Sequence, residues 1–321
     1  MSTSTVAGAG ADAGLGVVAS LQELIALRAQ AGSPTRRSAS VAAAPGRHLA
    51  PRLSRGMEFA EARPYQSGDD VRSLDWRQTA RRGRPYTKLF QEEHERPVQL
   101  LVDLGASMRF GSRVAFKSVL AARVAALLAW RAAAAGDRVG ALICAGGEMR
   151  VLPPQGRALG VLSLLAGLAA ASATPPAAQA MVWRAPLQAL ARAVRPGSQL
   201  VILSDFATLD TEVERQLSAL ARSAELLLVQ VYDRLEAEAL PPGLYRVSDG
   251  QHSRTLDLRT EAARSAYGAV FAERRLRLQA VARQSGARLL PLATHDAPET
   301  VLRAMQAPRP GWRLPAAREV A

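Results

Sequence analysis

Apolar and polar positions along this chain follow two alternating rhythms, which organise it from Arg96 onward. VQLLVDL is an unbroken apolar run closed by an acid, the pattern of a strand covered on both faces. DRVGALICAG, MRVLPP, QLVILSDF, ELLLVQVYD and ARLLPLAT read as further strands. Between them the spacing predicts helices over about 113–135, 157–170, 187–194, 211–223 and 261–284. Gly136 suits the exit of the first, where a left-handed residue is favoured. Gly146-Gly147 marks a turn between two strands, and PPGLYRVSDG…RTLDL a small hairpin. Repeated strand–helix alternation predicts an α/β fold: a mainly parallel sheet with helices on both faces.

The first third is less regular. MSTSTVAGAGADAG is small and flexible in composition, LQELIALRAQ has helical spacing, and a Ser-, Ala- and Arg-rich linker follows. Residues 56–95 are dense in charges, aromatics and turn formers, which predicts short strands and loops, RPYTKLFQ being the best strand. The expected organisation is a tail, short helix and basic linker over 1–54, a segment over 55–96 docked on the main domain, the α/β domain over 97–295, and a C-terminal tail over 296–321.

Charge and composition change the picture little. The longest apolar stretch, 114–135, is interrupted by Lys117, Arg123 and Arg131, so it reads as a buried helix and not a membrane span. With no secretory-type start either, a cytoplasmic protein is expected. The net charge of +13 calls for an anionic partner, but it comes almost wholly from arginine, Lys88 and Lys117 being the only lysines. Abundant Ala, Arg, Gly and Pro point to a GC-rich coding genome, which raises charge without selection for binding. Cys144 is the single cysteine and lies in an apolar run, so a disulfide within the chain is impossible and an inert thiol is expected. The four histidines are scattered without metal-ligand spacing.

Candidate chemistry lies at strand ends. In an open α/β sheet, ligands bind beyond the carboxyl ends of the strands, where the strand order reverses. Asp103 and Asp205 both occupy such ends, and Ser107 follows in the loop after Asp103. Hard cations favour such oxygen ligands. DLGAS is similar to the DxSxS signature of the metal-ion-dependent adhesion site of von Willebrand A domains. That resemblance implies Asp103, Ser107 and Asp205 as ligands of Mg²⁺ or Mn²⁺. Gly105 replaces the middle serine, and Arg184-Ala185-Pro186 has no hydroxyl where the usual threonine should fall. The alternative is that Asp103 and Ser107 cap the following turn, the fold persisting while the site has decayed.

A longer match precedes it. GMEFAEARPYQSGDDVRSLDWRQTARRGRPYTKLFQEEHERPVQLLVDLGASMRFG, with AFKSVLAARVAALLAW, ILSDF and VYDRLEAEALPPGLYRVSDG, closely resembles the bacterial family known as domain of unknown function 58. The resemblance implies a von Willebrand A-like domain and a MoxR-type AAA+ ATPase as partner, in an adaptor role in the assembly of other proteins.

Within RPYQSGDDVRSLDW, Gly68 beside Asp69 and Asp70 marks a tight turn, and Arg63, Arg72 and Arg77 are near enough to pair with those acids and with Asp75. Arg63, Tyr65, Gly68, Asp69, Asp70, Arg72, Asp75 and Trp76 form a candidate partner-binding surface, since Arg and aromatic residues often anchor interfaces. The same residues could instead be a self-contained turn and salt-bridge network. An enzyme is not expected. Adjacent Asp69 and Asp70 would point apart, and no nucleophile elbow, P-loop or dinucleotide fingerprint is present. A metal-dependent hydrolase and a nucleic-acid binder remain as alternatives. The latter rests on Arg36, Arg37, Arg47, Arg52 and Arg55 and on Arg81, Arg82 and Arg84, without a recognised motif.

Overall fold

A computed structural model describes residues 16–32, 57–66, 71, 74–92, 97–176, 181–195, 197–238, 240–248 and 253–306. Contacts divide the chain into one unit of residues 1–34 and 96–321, and a second of residues 35–95.

The larger unit is the expected α/β fold. Strands β3 (Val98–Asp103), β4 (Val139–Ala145), β5 (Glu148–Gln155), β6 (Gln199–Ser204), β7 (Glu225–Tyr232) and β10 (Arg288–Ala293) form one six-stranded sheet in the order β10-β7-β6-β3-β4-β5. All neighbours are parallel except β4 and β5, an antiparallel edge hairpin turned by Gly146 and Gly147, both at positive φ. The four inner strands carry almost unbroken buried runs, because helices cover both faces.

On one face lie α1 (Leu21–Ala26), α3 (Lys117–Ala134), α4 (Arg157–Ala173) and α9 (Thr300–Gln306), packed against Leu100, Val102, Ala141, Val201 and Val229. On the other, α5 (Arg184–Ala193), α6 (Thr211–Ser223) and α8 (Glu261–Ser285) pack against Leu101, Leu142, Leu200, Ile202 and Leu228. A short helix, α7 (Arg234–Ala237), follows β7, and the expected hairpin forms as β8 (Leu244–Ser248) and β9 (Ser253–Asp257).

Two assignments differ from expectation. The short N-terminal helix belongs to the core of this unit: Leu24 and Leu27 are buried, the Trp130 indole N–H donates to the Leu24 carbonyl, and Arg123 pairs with Glu23. Likewise part of the expected C-terminal tail is α9, whose Val301 and Leu302 join the same core.

The smaller unit contains β1 (Met57–Pro64) and β2 (Tyr86–Glu92), paired antiparallel with a register shift between Phe59 and Glu61. Between them runs a helix where loops were expected, α2 (Trp76–Arg82). Asp75 caps it by accepting from the Arg77 and Gln78 amides, and Gly83 closes it in the left-handed region.

Candidate functional site

Strand order reverses between β3 and β6, since the chain runs outward through β4 and β5 and returns to the other side of β3. Asp103 and Asp205 therefore end neighbouring parallel strands at the sheet's switch point, where ligands of open α/β sheets bind. Ser107, in the short helical turn after β3, donates to Asp205 Oδ1 at 3.3 Å. The three residues expected from the strand ends are brought together.

Each carboxylate oxygen already has a donor. Asp103 Oδ1 accepts from the Gly105 amide at 2.9 Å, and Oδ2 from the Ser204 hydroxyl at 2.6 Å. Asp205 Oδ1 accepts from the Ala207 amide at 2.9 Å besides Ser107, and Oδ2 takes the Lys117 ammonium at 2.8 Å. Lys117 reaches on to Glu236 Oε1 at 2.7 Å, and its ammonium lies 5.9 Å from the Phe110 ring centroid. Only 1% of the Lys117 side chain and 2% of that of Asp205 are exposed, so this ion pair is shielded from water.

The network continues into α7 and the end of β10. Glu236 Oε2 accepts from the Asp233 amide, completing the capping box of α7. Asp233 in turn accepts from the Ser112 amide at 3.0 Å and the Thr294 hydroxyl at 2.6 Å. Lys117 is the first residue of α3, whose N-cap, Phe116, offers no side-chain cap. A cation is disfavoured at a helix N-terminus, so the two carboxylates outweigh the helix dipole there.

Electrostatics separate the two aspartates. Burial first, then the charge of Asp205, pushes the Asp103 carboxyl up to about 6. Burial works against the Lys117 ammonium, but Asp205 and Glu236 outweigh it and hold its pKa above the usual lysine value. At Asp233 the bonds from Thr294, Leu235 and Ser112 outweigh burial and lower the pKa. Burial, with the Asp103 charge, pushes the Cys144 thiol up to about 12, which keeps it protonated and inert.

Backbone geometry shapes the turn after β6. Phe206 has φ of 53°, the left-handed region, and is the one non-glycine residue with positive φ among those described. Its buried ring stacks on Trp183 at 5.3 Å, and its amide donates to Ser204 Oγ at 3.0 Å. Packing thus holds a strained turn that aims Asp205 at Lys117.

The Mg²⁺ or Mn²⁺ implied for Asp103, Ser107 and Asp205 does not fit this donor set. Asp205 Oδ2 is taken by Lys117. A Cβ built at Gly105, where the signature has its middle serine, would stand 3.0 Å from Asp103 Oδ1, so a side chain would crowd the carboxylate. Ala185 and Pro186 line the wall beside Asp103 where the threonine was expected. Among the described residues no group of three or more His, Cys, Asp or Glu is arranged to hold an ion.

Two concave surfaces border this rim. A cavity of about 190 Å³ opens beside Asp103 and is lined by Gly105, Cys144, Met149, Met181 and Pro186. A groove of about 1010 Å³ is lined by Phe110, Leu235, Leu240, Tyr245, Arg246 and Tyr267.

In the smaller unit, Asp75 is buried and serves as a helix cap. Trp76 is 69% exposed. The Arg63 guanidinium donates to the Pro64 carbonyl, and Tyr65 donates its amide to Pro85. Arg82 and Arg84 stack on Tyr86 and donate to its hydroxyl. Gly68, Asp69, Asp70 and Arg72 lie outside the described residues, as do Arg36, Arg37, Arg47, Arg52 and Arg55.

The sequence model of "Protein of unknown function DUF58" matches residues 61–277, about two thirds of the chain, including Asp103, Ser107, Lys117, Asp205 and Glu236. The chain belongs to the DUF58 family. Two mycobacterial relatives, uncharacterized protein Rv1480 of Mycobacterium tuberculosis and uncharacterized protein Mb1516 of Mycobacterium bovis, are each 31% identical over 250 residues, 78% of either chain. Among solved structures, this DUF58 protein is similar to the conserved hypothetical protein BatB of Bacteroides thetaiotaomicron. That match has 13% identity and a TM-score of 0.40, over 65% of this chain and 95% of that one. An aerotolerance-related membrane protein of Bacteroides fragilis gives 14% identity and a TM-score of 0.40, over 65% and 96%. In this DUF58 chain no described helix is long and apolar enough to cross a membrane.

Proposed function

We propose that this DUF58 protein is a non-enzymatic, cytoplasmic interaction protein of the von Willebrand A-like kind. It presents the rim between β3 and β6 to a protein partner, which we take to be a MoxR-type AAA+ ATPase. The observation that carries this reading is the convergence of Asp103, Ser107 and Asp205 at the reversal of strand order.

The chemistry of the rim supports binding over turnover. Hydroxyls, backbone amides and one ammonium satisfy the two aspartates, and the nearby thiol stays protonated. None of these is a base poised to activate a nucleophile. The apolar groove lined by Phe110, Leu240, Tyr245 and Tyr267 supplies area of the kind that anchors a partner. Exposed Trp76, beside the helix cap of the smaller unit, supplies a second contact.

Co-purification tests the reading. The tagged protein should retain a MoxR-type ATPase of its source organism, and Trp76→Ala or Tyr267→Ala should weaken that retention at least tenfold without changing the fold. Failure of the wild type to retain any such ATPase would overturn the choice of partner.

A further inference from the structure

A lysine is buried between two carboxylates, one of which, Asp205, is a residue that the adhesion-site resemblance assigns to a metal ion. Lys117 Nζ lies 2.8 Å from Asp205 Oδ2 and 2.7 Å from Glu236 Oε1. Those carboxylates belong to separate elements, the end of β6 and α7, and the lysine belongs to a third, α3. One ammonium thus ties three elements together across the rim, as a bound ion would.

The amino-acid choice supports the same conclusion. The chain carries 41 basic residues, and only Lys88 and Lys117 are lysine, leaving 39 arginines. In a chain that otherwise uses arginine, lysine at position 117 points to a demand for a compact cation. A guanidinium is a broad planar fork, whereas an ammonium is a point charge with three N–H donors. Two of those donors meet carboxylates, and the charge stands near the face of Phe110.

We propose that the Lys117 ammonium is the resident cation of this site: a tethered charge that takes the place of Mg²⁺ or Mn²⁺ and makes the rim independent of divalent ions. Removing it leaves Asp205 Oδ2 and Glu236 Oε1 facing the space left by an ammonium, with Ser107 bonded to the other oxygen of Asp205. Oxygen ligands of this kind suit a divalent ion with several waters.

The test compares wild type with Lys117→Ala and Lys117→Arg in Mn²⁺ and Mg²⁺ titrations, read by calorimetry and by melting temperature against an EDTA control. Wild type should show no saturable heat and no shift; Lys117→Arg, which keeps the charge on a bulkier head, should bind no ion either but melt at a lower temperature. Lys117→Ala should gain saturable Mn²⁺ binding, with a rise in melting temperature of about 3–5 °C at tenfold excess over the dissociation constant. Adding Asp205→Asn to that variant should abolish the gain.

Saturable Mn²⁺ or Mg²⁺ binding by the wild type that Asp205→Asn removes would overturn the proposal. So would a folded Lys117→Ala variant that gains no binding. Should Lys117→Ala fail to fold, the wild-type titration alone decides. No partner enters these measurements, so their outcome is separate from that of the co-purification.

Discussion

Asp103 and Asp205 close adjacent parallel strands one residue out of register, Asp103 lying level with Ser204, and their surroundings differ. Asp205 faces α3, where a buried ammonium neutralises it. Asp103 borders the cavity beside α5, where a serine hydroxyl and a backbone amide solvate it without charge. The difference lies in which neighbouring element brings a cation. One carboxylate belongs to an ion-paired tie between elements, and the other sits under electrostatic pressure to take up a proton.

Breaking the tie should have the largest effect. Lys117→Met leaves Asp205 and Glu236 without their cation, and we expect a loss of about 3–5 kcal/mol in urea unfolding. A loss below about 1 kcal/mol would show that the pair is no tie. Asp205→Asn should cost less, about 2–3 kcal/mol, because Glu236 still holds the ammonium.

Asp103→Asn should act in the opposite direction. Its folded pKa of about 6 lies above the ordinary aspartate value of 3.8, so the native state binds the proton more tightly than the unfolded state between those values. Stability therefore falls as pH rises from about 4 to about 6, and the cost is fully present above that window. At neutral pH the neutral isostere should be unchanged or more stable by up to about 2 kcal/mol. The advantage should shrink as pH falls towards 4, because native Asp103 is then protonated, and vanish below about 3, where the unfolded state is protonated as well. A variant less stable at neutral pH by more than about 1 kcal/mol would contradict this picture.

The smallest effect concerns Cys144, paired with Asp103 across β3 and β4. Its thiol should resist alkylation in the native protein at pH 8 and react only on unfolding. Rapid native labelling would place it in a more polar setting than its burial implies.

Much of this was legible in the chain. Unbroken apolar runs such as VQLLVDL and QLVILSDF read as inner strands because both faces of the sheet are covered. The acids closing them read as rim residues for the same reason. The role of Lys117 was not read, because periodicity treats a charge within an apolar helix as an interruption; its signal was the rarity of lysine. Helix α2 carried punctuation that went unread, Asp75 as cap and Gly83 as exit, since its short span holds no buried face. The strained backbone at Phe206 leaves no mark in sequence, because tertiary packing imposes it.

Helix α1 carries a consequence for synthesis. Its buried Leu24 leaves the ribosome long before α3 and α4, against which it packs, and Ala19 waits for Ser172 to accept its amide. A nascent chain must therefore carry an unsatisfied apolar turn through more than a hundred residues of translation. Shortening the leading segment past Leu24 would uncover the matching furrow on the finished protein, a lesion that would emerge as clumping during expression before any loss of binding.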